Sequence, residues 1–77
     1  MAGLDGPAQG FVLNLAGDGL QALGRLEEAI TEYHKALDLQ ADHAEAHNNL
    51  SVALQMLGRV DEAAEHIETT LQIRPRF

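Results

Sequence analysis

Cysteine is absent from this chain of 77 residues, so neither a disulfide staple nor a thiolate metal site is available. Basic side chains are scarce, five against twelve acidic ones, for a net charge of −7. A nucleic-acid binder needs a basic stripe to displace counterions, and an anionic membrane attracts the same sign of charge; neither partner is expected. A basic or apolar partner suits the acidic surplus, which also serves simply to keep a protein soluble. No stretch approaches the roughly 20 apolar residues of a membrane span. Met1 to Gly10 lacks the basic and apolar regions of a signal peptide. Its glycines and proline read as a flexible lead-in over residues 1–9, and the expected compartment is the cytoplasm. No segment alternates with period two, so no sheet is expected. There is no Gly-x-Ser-x-Gly elbow and no phosphate loop. No catalytic residue and no cofactor are therefore expected.

What the chain has is a repeat. Gly24-Arg25-Leu26-Glu27-Glu28-Ala29 returns 34 residues later as Gly58-Arg59-Val60-Asp61-Glu62-Ala63. At the same offset Asn14 matches Asn48, Leu20 matches Leu54, Gln21 matches Gln55 and Leu37 matches Leu71. Gly17 matches Ser51, small for small, and no gap is needed. A fixed period of this size marks one supersecondary module used twice, here over residues 10–43 and 44–77.

Helical spacing fills each module. Val12, Leu15, Ala16, Leu20 and Leu23 recur at that spacing before the first Gly-Arg, and Leu26, Ala29, Ile30, Tyr33, Ala36, Leu37 and Leu39 after it. Ala46, Leu50, Ala53, Leu54 and Leu57, then Val60, Ala63, Ala64, Ile67, Leu71 and Ile73, do the same in the second module. The fold expected is all-α, about four helices paired as antiparallel hairpins. Gly24 and Gly58 permit the positive φ that ends a helix. Asp42 with Glu45 has capping-box spacing, and Pro75 closes the last helix. Gly17 and Gly19 weaken the first helix, which should fray at its start; Gly17 has a packing reason if another helix comes close, and Gly19 has none.

These residues resemble the tetratricopeptide repeat, a helix-turn-helix unit. Leu50, Ser51, Gly58, Ala63, Ile67 and Pro75 fit its pattern in the second unit, and Ala16, Gly17, Leu20, Gly24, Ala29, Tyr33 and Ala36 in the first. Leu13 and His47 stand where a large aromatic is usual, Ala41 where a proline is, and Thr70 where an alanine is. The Thr70 hydroxyl then needs a helix carbonyl or water. The resemblance implies a superhelix whose first helices line a concave groove for an extended peptide or partner helix. Carried over, the groove residues are Asn14, Asp18 and Gln21, with Asn48, Asn49, Val52, Gln55 and Met56. Met56 admits either an adaptable contact or plain packing. No lysine or arginine occupies these positions, which disfavours a clamp on a C-terminal carboxylate. A narrower likeness, carried by Ala44 to Leu50 and by Leu71 to Phe77, is to repeats preceding O-linked glycosyltransferase domains. There a ladder of asparagines holds the substrate backbone; Asn49 fits it, and Leu15 breaks it.

Four histidines raise the question of a metal. His43 and His47 are four apart, but a zinc site needs three or four ligands, so no metal is expected. His47 reads as a packing residue, His43 as a solvated turn residue, and His34 and His66 as outer-face residues. The function expected is protein–protein interaction, with a peptide or helix in the groove. Two other expectations stand beside it: substrate-presenting repeats of a larger transferase, and self-assembly. Repeats need neighbours to bury their apolar faces. Ile67, Leu71 and Ile73 leave the last helix uncapped, so a homo-oligomer is expected. Its simplest form is a symmetric dimer, with helix exchange through Leu39 to His43 as an option.

Overall fold

A computed structural model of the chain describes residues 7–73. It holds four helices and, among the described residues, no strand: α1 Pro7–Ala22, α2 Leu26–Leu39, α3 Ala44–Met56 and α4 Val60–Ile73. The all-α expectation holds. Helix α1 begins ahead of the Gly10 limit read from the sequence; the first turn of a helix accepts proline, because its N–H groups have no partner there. Pro75 lies outside the described residues, as do residues 1–6 of the lead-in.

Each hairpin turns on the same device. Gly24 and Gly58 adopt φ of 79° and 81°. The next residue then reaches back, Arg25 N–H to Leu20 O at 2.9 Å and Arg59 N–H to Leu54 O at 2.8 Å. Both turns are Schellman closures, which satisfy carbonyls the helix would otherwise orphan. Each is followed by an arginine on the glutamate three residues on, Arg25 to Glu28 at 2.6 Å and Arg59 to Glu62 at 2.7 Å. These pairs are exposed and hold little stability.

The cap of α3 differs from the expectation. His43, not Asp42, is the N-cap, and its Nδ1 accepts from Ala46 N–H at 3.4 Å. The helix begins one residue later than a capping box on Asp42 requires.

Helix α1 packs along α2, α3 along α4, and α2 against α3, so the two hairpins share one seam. Ala29 and Ala63, the repeat-equivalent alanines, are fully buried. They join Ile30, Tyr33, Leu50, Ala53 and Leu54 in one core cluster, with Leu20, Leu26 and Leu37 packed at its edge. Full burial of a leucine such as Leu50 contributes about 1.5–3 kcal/mol.

The two ends of the stack depart from the periodic reading. In α3, Ala46, Leu50 and Ala53 are buried as expected. Their counterparts in α1, Val12, Ala16 and Gly19, are exposed, and so are Leu15 and Leu23. In α4, Val60, Ala64 and Leu71 are likewise exposed, as are Leu39 of α2 and Leu57 after α3. The inner faces are covered because α2 and α3 lie on each other; α1 and α4 have such a neighbour on one side only. What α1 buries instead is its small and polar face, including Asn14 and Gly17.

Gly17 is where two helices meet closest. A Cβ added there would lie 2.5 Å from Tyr33 Cε1, so only glycine leaves room for the ring. In the second hairpin Ser51 replaces Gly17 and Ile67 replaces Tyr33. A larger small residue thus goes with a smaller large one, the volume exchange a packed core tolerates. Ser51 and Thr70 bond back to helix carbonyls, Asn48 O at 2.6 Å and His66 O at 2.9 Å. Thr70 thereby meets the requirement read from the sequence. No buried side-chain polar atom among the described residues lacks a partner.

Candidate partner-binding face

The first helix of each hairpin touches the other, and α1 and α3 present one continuous surface. Residues three and four apart share a helix face, which puts Phe11, Asn14, Leu15, Asp18 and Gln21 together on α1. The same rule aligns Asn48, Asn49, Val52, Gln55 and Met56 on α3. Two contacts bridge the helices. Asn49 Nδ2 donates to Asn14 Oδ1 at 3.1 Å, and Gln21 Nε2 approaches Met56 Sδ at 3.7 Å, a weak contact.

The candidates divide by role. Asn14 is buried beneath Asn49 and serves the seam. Asp18 and Gln21 flank the Tyr33 hydroxyl, at 2.6 Å to Asp18 Oδ1 and 2.9 Å to Gln21 Oε1. A phenol has one proton to give, and the shorter, charge-assisted bond to Asp18 takes it. Burial pushes the Tyr33 phenol far above its ordinary range, and the Asp18 carboxylate adds to the shift. Tyr33 is therefore a neutral donor that fixes the Asp18 rotamer. Asn48 and Asn49 are half-buried, and Val52, Gln55 and Met56 are exposed. The side chains of Asn48 and Gln55 have no hydrogen-bond partner among the described residues, so their amides remain available.

Sequence reasoning named Val52 and Met56 on this surface and left out Phe11 and Leu15. Phe11 is 53% exposed, and Leu15, which stands at the repeat position of Asn49, is 50% exposed. Val52 and Met56 on α3 are exposed as well, so both helices of this surface carry open apolar side chains among the amides. Phe11 could have been found from its place three residues before Asn14, and Leu15 from its place at the repeat position of Asn49. No lysine or arginine stands on the α1 or α3 helix. Asp18 is the acidic group within the patch, and Glu45 begins α3.

Among the described residues no group of three or more histidine, cysteine or acidic side chains is placed to hold a metal ion. No described helix is long and apolar enough to cross a membrane. Of the histidines, His47 is buried and His34 exposed as expected, whereas His43 caps α3. His66 is half-buried rather than on the outer face, and its ring lies against that of buried His47, with centroids 5.3 Å apart.

Two family models match the chain: TPR repeat over residues 17–58 and tetratricopeptide repeat over residues 44–77. The chain belongs to the tetratricopeptide repeat family. Among curated proteins it is similar to the peroxisomal targeting signal receptor of Candida glabrata, 39% identical over 67 residues. That match covers 87% of this chain and 11% of the receptor. The receptors of Eremothecium gossypii and Kluyveromyces lactis match at 40% over 60 residues and 36% over 67. The chain thus spans about a tenth of the length of these relatives. None of the three is a glycosyltransferase, so the narrower likeness drawn from Ala44 to Leu50 finds no support in them. As a tetratricopeptide repeat protein similar to targeting-signal receptors, the chain is a protein-interaction module.

Proposed function

We propose that the α1–α3 surface is a groove for an extended peptide. The observation that carries this is the pairing of unengaged amides, Asn48 and Gln55, with the open apolar side chains Phe11, Leu15, Val52 and Met56. Side-chain amides bond peptide N–H and C=O without regard to sequence, and the open apolar groups take side chains of the peptide. The relatives' name supports the class of ligand, since a targeting-signal receptor reads a segment of another protein. The absence of lysine and arginine from α1 and α3 argues for a ligand held away from a free terminal carboxylate. The protein is read as non-catalytic, and the cytoplasm is part of the same proposal. A fluorescent fusion confined to a membrane would count against that compartment.

A peptide array probed with the labelled chain tests the groove. Bound peptides should include internal apolar sequences, and amidating their C-termini should not abolish binding. Asn48→Ala should weaken binding three- to tenfold, the value of one net hydrogen bond, with helicity near wild type. Loss of helicity instead would make Asn48 structural.

A second reading, self-association, is favoured by the open apolar ends of the stack. Val12 on α1, Leu23 just after it, and Val60 and Leu71 on α4 are each half or more exposed.

A further inference from the structure

The 34-residue repeat lets the two hairpins be compared residue by residue, and the comparison isolates two faces. On α3, Ala46 and Leu50 are fully buried; their counterparts on α1, Val12 and Ala16, are exposed. On α2, Ile30 is buried and Leu37 half-buried; their counterparts on α4, Ala64 and Leu71, are exposed. Inside the chain α2 and α3 lie on each other, and Ile30 and Leu50 share one core cluster with Leu37 at its edge. Helix α4 thus repeats the α2 side of that seam, and α1 repeats the α3 side.

The face of α1 is poorly suited to water. The one charged residue of α1 is Asp18, which is engaged by the Tyr33 hydroxyl and belongs to the α1–α3 surface. Val12 and Ala16, four apart, share an uncharged stripe. The outer face of α2, by contrast, exposes Glu27, Glu28, Lys35 and Asp38.

We infer that both faces are covered by further copies of this chain, joined head to tail, with α4 of one copy seated on α1 of the next as α2 is seated on α3. The joint continues an interface the chain already contains, whereas pairing α1 with α1, or α4 with α4, has no counterpart in the repeat. This arrangement is a particular form of the self-association reading and rests on it. It is heterologous, so an open face is left at each end and further copies can add. Ala16 and Ala64 stand where the seam has Leu50 and Ile30, so the joint buries less apolar surface than the seam. The net charge of −7 on each copy also opposes it, so concentration and added salt favour assembly. Assembly would set α1 of the next copy beside α3, as α3 stands beside α1, and so lengthen the α1–α3 surface. That consequence depends on the groove reading; the joint itself is tested without any ligand.

The absence of cysteine makes the test direct. Ala16→Cys and Ala64→Cys are small changes at exposed positions, one on each face, and should leave the fold intact. One variant is labelled with nitrogen-15 so that mass separates the two. Treated with a short bismaleimide at hundreds of micromolar, an equal mixture should give a cross-linked pair holding one of each. Its yield should exceed several-fold that from either variant alone. Cross-linking of Ala16→Cys alone or Ala64→Cys alone at the mixture's yield would overturn the head-to-tail joint and leave a symmetric dimer standing. A wild-type chain that sediments as a monomer at that concentration, with no cross-link in the mixture, would overturn the joint and self-association together.

Discussion

Two glycines of one helix show how differently the same residue is used. Gly17 sits beneath the Tyr33 ring, and a Cβ there would lie 2.5 Å from it. Gly19 has nothing within 4 Å of the same atom. Gly17→Ala should therefore cost about 1–3 kcal/mol, because the Tyr33 ring and its bond to Asp18 must move. Gly19→Ala should stabilise by about 0.5–1 kcal/mol, the helix propensity gained with no clash. Urea denaturation of the two variants checks both signs; a stabilising Gly17→Ala would mean that the close approach of α1 to α2 is wrong. The sequence made Gly17 legible as a small residue in a repeated slot. It did not show which side chain fills the space, because Tyr33 comes from the other helix of the hairpin and its packing register is not local.

At the level of helices, equivalent sequence does not mean equivalent burial. Leu50 and Ala16 hold the same repeat position, yet Leu50 is at 0% and Ala16 is exposed. Leu50→Ala should cost about 2–5 kcal/mol, as large-to-small changes in a packed core do. Val12→Glu, on the open side of α1, should change stability by about 0.5 kcal/mol or less. Thermal or urea unfolding of the two variants separates an inner helix from an end helix. The helices themselves were legible: four of them, paired as hairpins about the repeated Gly-Arg, with Gly24 and Gly58 at positive φ, stand where the repeat and the helical spacing put them. The side of α1 that is buried was not, because periodicity marks an apolar stripe without saying whether anything lies against it. The cap of α3 was misread for a related reason. Asp42 has the composition of a cap, but the chain enters α3 one residue later and His43 takes the bond.

For the molecule as a whole, the repeat predicts how copies would meet. The face of α4 that is open is the face of α2 that α3 covers, and the open face of α1 is the one α3 turns to α2. A second copy placed head to tail would reproduce the α2–α3 contact between α4 and α1. This arrangement is heterologous, unlike the symmetric dimer the sequence suggested. Val12→Glu and Leu71→Glu should each block one end. Each variant alone should be monomeric, because its remaining end finds no open complement, while an equal mixture should form a defined one-to-one complex by sedimentation. A wild-type chain that is monomeric at hundreds of micromolar would rule out assembly through these ends.

The central claim concerns the α1–α3 surface. Its most direct test is a pair of nitrogen- and carbon-resolved spectra of the labelled chain titrated with a peptide recovered from the array. The account predicts shifts concentrated at the side-chain amides of Gln21, Asn48, Asn49 and Gln55 and at the methyl groups of Val52 and Met56. Shifts confined to the outer residues of α2 and α4, such as Lys35 and Glu68, would contradict it.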